Sequence, residues 1–179
     1  MGPATPYWAA PDEGGPVDVS TFYALFSATC FTLTGLWWSV VERHHQWHAD
    51  PAMRRRVGAV YVSFLLPALM GLFAQVGGTQ NPAFWRSSFV VIAVAGCVGT
   101  VRMLRAARDD PGAGAVAHYW WGSALVYGVI AVVGVAPGLV RPLGFTPLQA
   151  EATLLILLIA LAHGLVWEFM TRRAPAEPG

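Results

Sequence analysis

The chain has 179 residues, is 55% hydrophobic and only 12% charged, and carries a formal net charge of +1. Soluble domains carry about 25% charged residues, so the composition excludes an ordinary water-soluble domain; the total charge is uninformative, and no nucleic-acid partner is expected. All 11 basic residues are Arg, with no Lys, a usage that points to a GC-rich bacterial genome. A chain this short makes one domain.

The first residues, "MGPATPYWAAPDEGGPVD", have neither the basic start nor the early apolar run of a signal peptide. Residues 1–17 are expected to form a Pro/Gly-rich tail outside the cytoplasm, 18–173 a transmembrane domain, and 174–179 a short cytoplasmic tail. Crossing the hydrocarbon takes about 20 mostly apolar residues. Five segments qualify, at roughly 19–42, 57–76, 84–104, 117–138 and 148–170.

The first span carries a stripe of small and hydroxyl residues at helical spacing: Thr21, Ala24, Ala28, Thr32, Gly35, Ser39 and Glu42, widened by Ser20, Ser27 and Thr34. Small faces let membrane helices approach closely. A polar stripe can instead line a water-filled path, with Glu42 at its inner mouth. After this span comes "VVERHHQWHAD". His44 and His48 are four apart and share a helix face, a spacing that can hold a metal. No HExxH accompanies them, and Asp50 is better placed as a helix cap. The cluster therefore reads as a polar collar among headgroups, with pH sensing and metal binding as the weaker alternatives.

Asp50-Pro51, Asn81-Pro82, Asp110-Pro111 and Thr146-Pro147 each offer an N-cap residue followed by proline at the first helical position. Thr146 has Gln149 three residues on, a capping box, and Asp18 is placed to cap the first helix. Gly77-Gly78 and Pro137-Gly138 are stop signals. In the second span Pro67 removes one backbone bond, and Ser63, four residues earlier, is expected to modulate the kink. Gly122, Gly128, Gly134 and Gly138 in the fourth span favour close packing. Cys30 and Cys97 form no CxxC and read as small core residues.

Arginine placement gives an orientation. Arg43, Arg54, Arg55, Arg56, Arg102, Arg105, Arg108, Arg172 and Arg173 fall at one end of the spans, and only Arg86 and Arg141 at the other. Cytoplasmic loops collect Arg, so the N-terminus is expected outside and the C-terminus inside. Trp37, Trp38, Trp120, Trp121 and Trp167 lie toward the arginine-rich end and Trp85 toward the other, as interfacial indoles do.

Within the last span, His163 in "LIALAHGLVWEF" stands out as an ionisable group inside the apolar region, and such groups default to a functional hypothesis. It shares an arc with Ile156, Ala160, Gly164 and Trp167, so it is expected to face protein. The plain alternative is a neutral histidine bonded within the core. His118 sits too far from it in depth to form a haem pair, and no cofactor is expected. GxSxG, HExxH and phosphate-loop motifs are absent, which speaks against an enzyme.

The fold expected is an all-α, compact five-helix transmembrane bundle in a bacterial cytoplasmic membrane, in contact with the bilayer and forming a homo-oligomer. The leading functional reading is an oligomeric channel or small transporter, with Ser27, Thr32, Thr34, Ser39, Glu42 and His163 lining or controlling the path. The competing reading is a structural or regulatory subunit that binds another membrane protein.

Overall fold

The computed structural model describes residues 18–44, 47, 49–77, 81–107 and 114–171. They form helices α1 (Val19–Glu42), α2 (Pro51–Gly77), α3 (Pro82–Ala107), α4 (Gly114–Val135) and α5 (Pro147–Thr171), with a 3-10 segment at Pro137–Leu143 between the last two. Each of the five helices is long and apolar enough to cross a membrane. The chain is therefore an all-helical, multi-pass membrane protein. The tails at 1–17 and 174–179, the Asp110-Pro111 cap, Gly78, His45, His48, Arg108, Arg172 and Arg173 lie outside the described residues.

Helix starts follow local chemistry. Asp18 Oδ1 accepts from Ser20 N at 3.2 Å, Asp50 Oδ1 from Ala52 N at 2.8 Å, and Asn81 Oδ1 from Phe84 N at 3.3 Å. Thr146 and Gln149 form the reciprocal capping box: Thr146 N donates to Gln149 Oε1 at 3.0 Å, and Gln149 N to Thr146 Oγ1 at 3.2 Å. These bonds satisfy N–H groups that a helix leaves orphaned. α2 starts at Pro51, well before its apolar stretch, because the cap acts whether or not the first turns are wet; Arg54, Arg55 and Arg56 stay exposed there. α4 stops at Val135 because Pro137 cannot continue the ladder. The chain then turns through the 3-10 segment, which closes on Gly144 at φ 78°.

The helices do not pack as five equals. α2, α3, α4 and α5 form a closed ring in which each packs on the next and α5 returns to α2; α1 lies outside it, mainly against α2 and more lightly against α5. Among the described residues, α2 does not pack on α4, nor α3 on α5. One core cluster, around Tyr23, Phe89, Ile130 and Leu155, fills the arginine-poor half. A second, around Trp37, Val60, Phe64, Leu104 and Trp120, fills the arginine-rich half.

Small residues allow close approaches between helices. A Cβ at Gly71 of α2 would overlap Ser27 Oγ of α1, and that hydroxyl donates to Ala68 O at 3.2 Å. A Cβ at Gly96 of α3 would come within 2.7 Å of the Tyr127 ring on α4. Of the fourth-span glycines, Gly122 and Gly134 do pack against neighbours, Leu161 and Val90, whereas Gly128 and Gly138 face open space. Cys30 is fully buried and Cys97 half-buried, both as free thiols.

Two expectations change. Ser63 does not serve the carbonyl left without a donor by Pro67: its hydroxyl turns back and donates to Val60 O at 2.7 Å. The tryptophans also divide. Trp38, Trp121 and Trp167 are exposed, as an interfacial belt requires, but Trp37, Trp85 and Trp120 are buried core residues. Trp37 uses its indole N–H to tie α1 to Val57 O of α2 at 3.2 Å.

Candidate functional site

The ring encloses a cavity of about 330 Å³ in its arginine-rich half. All four ring helices contribute to its walls. Val62 and Leu66 come from α2, Gly99 and Thr100 from α3, Tyr127 from α4, and Leu158 and Leu161 from α5. Arg55 of α2 and Arg102 of α3 stand at its rim. The shape follows from how α2 and α3 meet. At the arginine-poor end they touch, so that a Cβ at Gly77 would reach 2.9 Å from Trp85 Cβ. Toward the other end they part, and a Cβ at Gly58 or Gly99 would meet nothing within 4 Å. The cavity is therefore the deep part of a cleft that widens toward the arginine-rich end. Its hydroxyls add little polarity, because Ser63 and Thr100 both donate to carbonyls of their own helices, at 2.7 Å each.

Outside the cavity lining, nearer the start of α5, lies Glu151. The buried face of α5 runs Glu151, Leu155, Leu158, Ala162, Leu165, a strict four-and-three spacing that aims one stripe into the ring. Leu158 lines the cavity, and Glu151 lies two turns further along, roughly 10 Å away at 1.5 Å per residue. Leu155, fully buried between them, separates the two. Glu151 is 0% exposed, and neither carboxyl oxygen has a hydrogen-bond partner among the described residues. Tyr23 of α1 belongs to the same core cluster as Leu155, the next member of the stripe. The Tyr23 hydroxyl is committed to the Leu148 carbonyl at 2.8 Å. Burying a carboxyl without hydrogen bonds is costly; its place in the first turns of α5, near the positive end of the helix dipole, offsets part of that cost.

Glu151 does not stand out in the sequence as His163 does, because a free carboxyl titrates well below neutrality and an imidazole near it. The signal that finds it is the buried stripe itself, of which it is the first member.

The residues singled out in the sequence lie elsewhere. His163 is exposed on the outer surface of α5, contrary to the expectation that it faces protein. Its Nδ1 lies 2.8 Å from Ile159 O of its own helix, and its ring meets Phe64 edge-on at 5.6 Å. Of its arc, Ile156, Ala160 and Trp167 are also exposed; only Gly164 packs inward, under Tyr119 of α4.

On α1, Thr32, Ser39 and Glu42 are exposed, whereas Ser27 and Thr34 are buried. Thr32, Thr34 and Ser39 donate to the carbonyls of Ala28, Cys30 and Gly35 at 2.9, 2.8 and 3.2 Å. Since α1 lies outside the ring, none of the five lines the cavity.

His44 stacks on Trp47 at 4.2 Å and its Nδ1 sits 2.9 Å from Val40 O. Among the described residues no group of three His, Cys, Asp or Glu is placed to hold a metal. Family models, curated proteins and solved structures were compared with the chain, and none matches it.

Proposed function

We propose that the chain is a small membrane transport protein that moves protons, alone or with a substrate, through the four-helix ring, and that Glu151 is its proton-binding group. The observation that carries this reading is a fully buried carboxyl with no hydrogen-bond partner, on the same face of α5 as the cavity-lining Leu158, Ala162 and Leu165. Ionisable groups in a membrane interior mark ion and proton pathways. Ca²⁺ and Mg²⁺ take six or more oxygens, more than the two that Glu151 offers, whereas a proton needs one. Opening of the Leu155 constriction would join Glu151 to the cavity. The path through the ring replaces a path along α1, and we place the arginine-rich end on the cytoplasmic side of a bacterial inner membrane.

The test is proton flux into liposomes loaded with a pH-sensitive dye, under an imposed potential. Glu151→Gln keeps the size of the side chain and cannot exchange the proton, so flux falls at least roughly tenfold, the order expected for losing the relay group. Wild-type flux in Glu151→Gln overturns the reading.

A second reading, a subunit or homo-oligomer joined through α1, is favoured by one observation: Ala28, Thr32, Gly35 and Ser39 make a continuous exposed face of small residues. Such a face suits a partner helix. His163 and Glu42 would act only at such an interface.

A further inference from the structure

We propose that the cleft between α2 and α3 is a binding site for an anionic phospholipid drawn from the leaflet at the arginine-rich end, with one acyl chain in the cavity and the phosphate held by Arg55 and Arg102. The acyl chain would occupy the cavity through which the proposed proton path runs, so bound lipid and an open path exclude each other; the lipid test itself does not involve Glu151, which is outside the cavity lining.

Three observations converge on that occupant. First, the walls are apolar, and the hydroxyls of Ser63 and Thr100 are already spent on their own helices. A volume of about 330 Å³ falls at the lower end of the roughly 300–1,000 Å³ range of small-molecule sites, so it suits a single chain. Second, the cleft has a lateral opening toward lipid: Val62 of α2 and Ala95 and Gly99 of α3 line it and are exposed. The open space at Gly58 and Gly99 is what lets a chain slide in from the side.

Third, the charge stands where a headgroup would lie. Arg55 and Arg102 come from facing helices onto one rim, both exposed, and neither has an ion pair or hydrogen bond among the described residues. Guanidinium groups bind phosphate in a bidentate fork, and basic pockets between transmembrane helices take anionic headgroups. A zwitterionic headgroup also brings a phosphate but carries its own cation, so an anionic headgroup is the one whose net charge two unpaired arginines favour.

The experiment is native mass spectrometry of the full chain in detergent with equal amounts of phosphatidylglycerol and phosphatidylcholine. One phosphatidylglycerol is retained in preference to phosphatidylcholine. The double variant Arg55→Gln/Arg102→Gln loses that preference, with affinity falling by roughly tenfold or more, since each basic residue near an anionic headgroup contributes about one kcal/mol. Arg54→Gln/Arg105→Gln, exposed at the same end but outside the cavity lining, retains it. Gly58→Leu/Gly99→Leu fills the cleft without touching the charges and also loses the lipid.

Equal retention of the two lipids by the wild type overturns the proposal. So does full retention in Arg55→Gln/Arg102→Gln or in the cleft-filled variant. An equal loss in the Arg54/Arg105 control would likewise overturn it, because the attraction would then be that of a charged surface and not of a site.

Discussion

The Tyr23 hydroxyl donates to the Leu148 carbonyl at 2.8 Å, fastening α1 to α5 three residues before Glu151. That donor is thus spent on a backbone carbonyl and not on the carboxyl, whose oxygens have no partner among the described residues. An arrangement built for stability would point that donor at the acid. Replacing a buried, unsatisfied polar group by an apolar one of similar shape is neutral or stabilising, because the unmade bonds cost about 1–3 kcal/mol. Glu151→Met should therefore raise stability by about that amount while abolishing proton flux. Thermal or denaturant unfolding in detergent checks it. A loss of more than about 1 kcal/mol would identify the carboxyl as structural.

Ser27 and Gly71 form a size-matched pair across α1 and α2. Gly71→Ala alone overpacks the contact and should cost about 1–3 kcal/mol. Ser27→Ala alone loses the bond to Ala68 O, worth about 0.6 kcal/mol for a membrane hydrogen bond. The double substitution makes room for the new methyl, so it should be more stable than Gly71→Ala. Simple addition of the two single costs, to within about 0.5 kcal/mol, would show that the two residues are not in contact.

Orientation is checked in a Cys30→Ala/Cys97→Ala background. Leu143→Cys is exposed at the arginine-poor end, and Ala106→Cys is exposed at the other. In intact cells an impermeant maleimide should label position 143 at once and position 106 only after permeabilisation. The reverse pattern would invert the topology.

If copies of the chain meet through α1, Thr32→Cys in the same background should give an oxidised dimer in membranes. Val91→Cys, exposed on α3 at the far side of the ring from α1, should not. Equal yields at both positions would mean random collision.

The caps and spans were readable in the sequence because they depend on near neighbours. Asp18, Asp50, Asn81 and the Thr146–Gln149 pair each bond within three residues, and hydrocarbon thickness fixes span length. The ring was not readable, because which helix stands outside is decided by contacts between distant residues such as Gly96 and Tyr127. The misplacement of His163 has the same origin. Ile156 and Ala160 are compatible with either lipid or protein, and only the docking of α4 at Gly164 shows which way the arc turns. Glu151 was legible in principle from the heptad-like stripe it begins, but the stripe identifies a buried face only once its other members are known to face the core.

Arg86 of α3 donates from Nε to Gly134 O at 2.9 Å and from Nη2 to Val135 O at 3.0 Å. These are carbonyls that the end of α4 would otherwise leave unpaired, and a cation there also complements the helix dipole. Neither partner is satisfied until both helices are in the bilayer. As the chain emerges, α3 carries a charge waiting for a carbonyl pair, and α4 delivers the pair 48 residues later. The two helices are therefore fastened as one hairpin at the end opposite the 107–114 connection.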